Sequence, residues 1–256
     1  MKVLQGLKKV DKIIFLPTAQ HQPDSPWLMN ERGRLRAEAA LRCLRENPDA
    51  VLIICGGYPN DMGFTYADRT AYMVANLYPE MIKRLVMVSG VSNRTITDLF
   101  YGLLTLVSHL HIRNIKITPA KTTVFFCSEE MHYLRCKASI QALGFKPKFV
   151  NSLADDSLYS QADKKMAKKV VVGKLFGFGQ SSVYWNRNAY KKGVLPQIEQ
   201  SRNFTINNRD QSLKYRDEIR ALQNELISNG CLIQSPYIGI DVCVMIPKMA
   251  QVDFKP

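Results

Sequence analysis

His132 and Arg135 stand three apart in the segment Cys127-Ser128-Glu129-Glu130-Met131-His132-Tyr133-Leu134-Arg135. On a helix, residues at that spacing share a face. An imidazole titrates near neutral pH and can act as general acid or base. A guanidinium offers forked cationic donors to an oxyanion. Just before this segment runs Thr122-Thr123-Val124-Phe125-Phe126, an apolar stretch that reads as a buried strand. The pattern predicts a polar, titratable helix face at the carboxyl end of a parallel strand. Open α/β sheets keep their ligands there.

Other strand-to-helix junctions carry polar groups that such a sheet would gather at the same edge. One is Cys55-Gly56-Gly57-Tyr58, and another runs from Ser89 through Ser92, Arg94 and Thr95 to Asp98. Thr18-Ala19-Gln20 and Arg34 add a further contribution. Together these point to anion binding, because helix N-termini present N–H groups and the positive end of the dipole. Hydroxyls of Ser92, Thr95 and Ser128 would add donors, and Arg34, Arg94 and Arg135 would add charge. The candidate set is therefore His132 as acid or base, with Gly56, Gly57, Ser92, Arg94, Thr95, Ser128, Arg135 and Arg34 holding the ligand. Each has a plainer reading. Ser128 and Thr95 stand where helix N-caps are expected, and capping alone would account for them. His132 and Arg135 would also suit a helix surface. Gly56-Gly57 demands only a tight turn or a close backbone approach.

The elements that must position these groups alternate in type. Apolar runs at 13–16, 50–55, 84–88, 122–127 and 148–150 read as strands. Helical spacing appears over 33–46, 66–78, 95–110, 129–143 and 210–227, and a last strand is expected over 237–246. Strands alternating with helices imply βαβ units: a Rossmann-like, doubly wound, mostly parallel α/β sheet. Neither the G-x-G-x-x-G fingerprint nor a P-loop is present, so no cofactor is specified. Two parts are expected. Residues 1–150 form the α/β domain. Residues 151–256 form a basic, lid-like segment followed by a helix and strand packed on the same sheet.

The chain of 256 residues carries a net charge of +13. Residues 161–192 hold eight basic side chains against one acid, Asp163. That balance favours an anionic partner, or is simply a solvated lysine-rich face. A small anionic molecule is the expected partner, and nucleic acid is disfavoured. The oligomeric state is not specified. None of the six cysteines forms a C-x-x-C pair or neighbours a His at metal-ligand spacing, so no metal is expected. Free thiols inside apolar patterns suit a reducing, cytoplasmic setting. Ile13 to Leu16 is too short for a signal-peptide core, and no apolar run reaches membrane-spanning length.

The order of these motifs resembles the SanA/ElyC/YdcF-like bacterial family. That family shows Arg-Leu in its first helix, Ser-Gly-Gly after its second strand, Ser-x-Asn-Thr-x-Glu-Asn, and His-x-x-Arg after a buried strand. Here Arg34-Leu35, Cys55-Gly56-Gly57, Ser92 to Asp98 and His132 to Arg135 stand at those places. The likeness covers residues 12–150. Cys55 replaces the serine, Arg94 the asparagine, and Thr97-Asp98 the Glu-Asn pair, so the acid that would partner His132 is absent from that motif. The resemblance implies a Rossmann-like domain with a ligand pocket at the strand ends, a link to cell-envelope metabolism, and, without the membrane anchor many members carry, a soluble branch of the family.

The expected function is binding of a phosphorylated or nucleotide-type small molecule. S-adenosylmethionine is included on fold analogy alone. An enzyme at this site would be a hydrolase or transferase. The alternative is a non-catalytic ligand-binding or interaction protein, with residues 161–192 contacting an anionic partner.

Overall fold

The computed structural model describes residues 4, 6–18, 21–22, 25–56, 64–89, 95–154 and 209–234. Its centre is a six-stranded parallel sheet. In chain order these strands are β2 (Lys12–Pro17), β5 (Val51–Cys55), β6 (Leu85–Ser89), β8 (Thr123–Ser128), β9 (Lys146–Asn151) and β10 (Leu232–Gln234). In space they run β10-β6-β5-β2-β8-β9. Two small pairings lie outside this sheet: β1 (Lys9–Val10) with β7 (Lys116–Ile117), parallel, and β3 (His21–Gln22) with β4 (Ser25–Met29), antiparallel.

Among the described residues the long helices are α1 (Glu31–Glu46), α2 (Tyr66–Leu77), α3 (Thr95–Ile112), α4 (Glu130–Ala142) and α5 (Arg209–Ser228). They cover both faces of the sheet, so its central strands need apolar side chains on both sides and read as unbroken hydrophobic runs. Ile14, Leu16, Leu52, Ile54 and Met87 pack with α1, α2 and α5. Ile13, Phe15, Val51, Ile53 and Phe126 pack with α3 and α4. Phe15 and Phe126 stack across neighbouring strands with ring centroids 5.6 Å apart.

The distribution of helices follows from crossover handedness. From β2 the chain steps to β5 and β6 in one direction, with α1 and α2 on one face. It then steps past β2 to β8 and β9, with α3 and α4 on the opposite face. A return to the β6 edge puts α5 back on the first face. One crossover hand requires this arrangement. The direction of winding reverses between β2 and β8, which makes that crevice the topological switch point.

Element boundaries depart from the sequence expectation where side-chain chemistry overrides periodicity. α1 starts two residues early because the Asn30 side chain caps it, accepting from the Gly33 N–H at 2.9 Å. β9 starts at Lys146 because its backbone follows β8 residue by residue, Thr123 opposite Lys146 and Phe126 opposite Phe149. The expected strand over 237–246 lies outside the described residues, as does the basic run 161–192. The described strand after α5 is β10. α5 is joined to α2 by a Tyr72–Glu218 hydrogen bond and by Gln223 Nε2 donating to Asp68 at 2.8 Å.

Candidate functional site

The switch point is filled by charged side chains. Arg32 and Arg36 lie one helical turn apart on the sheet-facing side of α1, as i, i+4 residues must. Glu129 is the first residue after β8 and the N-cap of α4, where the helix dipole favours a carboxylate. His132 follows three residues later and so overhangs the same spot.

Arg36 Nε donates to Glu129 Oε1 at 3.1 Å, and Arg36 Nη2 to Oε2 at 2.6 Å. The same Nη2 lies 3.0 Å from His132 Nδ1. Arg36 Nη1 donates to the Thr18 carbonyl at 3.1 Å, with that of Pro17 at 3.5 Å, and so closes off the end of β2. Arg32 Nε stands 3.4 Å from Glu129 Oε1. Glu129, Arg36 and His132 are buried, their side chains no more than 4% exposed, whereas the Arg32 side chain is 23% exposed. The imidazole also meets the Phe126 ring edge-on, at 5.3 Å between centroids. Burial alone would push the Glu129 carboxyl up. The charge and hydrogen bonds of Arg36, with Arg32 behind it, outweigh burial and hold it below the usual carboxylate range.

The sequence-derived candidates divide sharply. His132 is inside this cluster. Ser128 sits beside it, but not as a cap: it is the last, fully buried residue of β8, and its hydroxyl donates to the Glu129 carbonyl at 3.0 Å. The N-cap is Glu129, because the strand pairing runs through Ser128 opposite Asn151. Arg34 does not join the cluster. It lies on the exposed side of α1 and pairs with Glu38 one turn on. Gly56 is buried just after β5, and a Cβ there would come within 2.8 Å of the Thr18 side chain. Packing against β2 therefore accounts for this glycine. Thr95 is the first residue of α3, and Arg135 lies in α4 one turn beyond His132. Gly57, Ser92 and Arg94 lie outside the described residues.

Sequence reasoning passed over Arg32, Arg36 and Glu129. Their signal was available: two arginines at helical spacing, and a carboxylate between a buried strand and a histidine three residues on. Asp98 is also buried, in the first turn of α3, close enough to Cys55 to add to the effect of burial in raising that thiol. Burial likewise raises Cys127. Both cysteines are packing residues, since a nucleophile needs its thiolate. In the first turn of α2, the guanidinium of buried Arg69 lies over the Tyr66 ring, 4.4 Å from its centroid.

Among the described residues no group of three or more His, Cys, Asp or Glu side chains could hold a metal ion. No described helix is long and apolar enough to cross a membrane. Fold and site together define a Rossmann-like α/β protein with a buried arginine–glutamate–histidine cluster at its switch point. Searches of family models, curated proteins and solved structures match nothing to this chain.

Proposed function

We propose that this chain binds a phosphorylated or nucleotide-type small molecule at the carboxyl ends of its strands, around Arg32 and His132, and hydrolyses it or transfers a group from it. One observation carries this reading. At the switch point the guanidiniums of Arg32 and Arg36 both lie against Glu129 and beside His132, which puts forked cationic donors where an open α/β sheet keeps its ligand. Arg32, the most exposed member, is the natural contact. The carboxylate beside His132 is that of Glu129, 3.8 Å from Nδ1. Membership of the SanA/ElyC/YdcF-like family and a cytoplasmic location belong to the same reading. Motif order supports the first, and the five cysteines among the described residues, all buried and unbridged, support the second.

Thermal shift with inorganic phosphate, ATP, S-adenosylmethionine and a sugar phosphate tests the proposal. At a ligand concentration 100 times Kd, binding stabilises by about 2.7 kcal/mol. At least one anion should raise Tm, and Arg32→Gln should abolish the rise. An unresponsive panel, or a rise kept in Arg32→Gln, defeats it. If product also forms, His132→Ala should lower turnover by about 10²–10⁴-fold. Binding without turnover favours the second reading, a non-catalytic binding protein. The observation behind that reading is the engagement of His132 Nδ1 by Arg36, which removes this nitrogen as a base.

A further inference from the structure

We infer that Arg36, anchored by Glu129, locks His132 as the neutral tautomer with its proton on Nε2, which makes Arg36 and Glu129 positioning residues for the imidazole. Lone pairs decide the tautomer. A guanidinium has donors and no acceptor. Its Nη2 lies 3.0 Å from His132 Nδ1, so the imidazole nitrogen must accept and cannot carry hydrogen. A neutral imidazole that accepts at Nδ1 has its proton at Nε2.

The competing partner is Glu129, whose carboxylate would favour a proton on Nδ1. Its Oε2 is 3.8 Å from Nδ1, beyond hydrogen-bond distance, and is already bound by Arg36 Nη2 at 2.6 Å. Nor can Arg36 swing aside. Nε is tied to Glu129 Oε1 and Nη1 to the Thr18 carbonyl, so two other segments of the fold hold the guanidinium plane. Arg36 from α1 and Glu129 from the β8–α4 junction stand at Nδ1, and Phe126 of β8 meets the ring edge-on.

The consequence deepens the proposed function and, for the ligand, rests on it. A ligand atom brought to Nε2 would meet a hydrogen-bond donor or general acid, so it would have to be an acceptor oxygen. The tautomer itself needs no ligand to be tested. In ¹⁵N-histidine-labelled protein, long-range ¹H–¹⁵N correlation separates protonated from unprotonated ring nitrogens. The chain has four histidines, and His132→Gln assigns the relevant pair by loss of signal. The expected result is an unprotonated Nδ1 and a protonated Nε2. A protonated Nδ1, in either the neutral ring or the imidazolium, overturns the inference. Arg36→Met, if it folds, leaves Glu129 as the neighbouring charge and should move the proton to Nδ1. An unaltered pattern in that folded variant would remove Arg36 as the cause. Failure of every anion to bind would sink the proposed function and leave this result standing.

Discussion

Arg36 and Glu129 behave as one unit, and neither is readable alone. Taking two ions out of water is costly, and the pair is tolerable because its hydrogen bonds are complete. Removing one partner strands the other. Arg36→Ala and Glu129→Ala should each destabilise by about 3–5 kcal/mol in urea titration. Arg34→Ala, which removes a surface i, i+4 pair, should change little. Equal effects at Arg34 and Arg36 would contradict the assignment. Acid adds a signed test. Glu129 has a depressed folded pKa, so its contribution is fully present above the ordinary glutamate value near 4.3 and is lost as pH falls through the lower folded value. The steep acid limb of stability against pH should flatten in a folded Glu129→Gln. An identical limb would mean other carboxylates dominate. The sequence pointed to Arg34 through a motif, whereas helical phase chooses Arg36, two residues on and on the opposite side of α1.

At the scale of elements, the β2 and β5 ends are packed too closely to admit a side chain at position 56. Thr18 Cγ2 and Oγ1 each lie 2.8 Å from where a Cβ would stand, and a threonine stem cannot fold out of the way. Gly56→Ala should cost about 1–3 kcal/mol through overpacking. Adding Thr18→Ala removes both offending atoms and should recover most of that loss. A double-mutant cycle measures the coupling, and simple additivity would show that the glycine answers to something else. The effect reaches the site, because the Thr18 carbonyl is an anchor of Arg36. The glycine was legible in the sequence, but its partner was not, since residues 18 and 56 meet only across a parallel crossover.

At the scale of the whole molecule, residues 209–234 are part of the same core. Ile219, Leu222 and Leu226 are buried on the α1/α2 face, and β10 pairs with β6. Each such side chain is worth about 1.5–3 kcal/mol, so three approach the typical net stability of a domain, about 5–15 kcal/mol. A chain ending at residue 154 should therefore show no cooperative unfolding transition. A sharp transition in that fragment would show that the first 154 residues fold alone. By itself the sequence determined the alternation of strands and helices, and with it the parallel sheet. Doubly buried strands must be continuously apolar and their crossovers periodic, and both signals are local. It also placed His132 at a strand end, because the strand and helix around it are contiguous. Only the tertiary structure decided which groups surround that histidine. Arg36 and Glu129 are 93 residues apart in the chain, and they meet because crossover handedness sets β2 beside β8 and helical phase turns Arg36 toward the crevice.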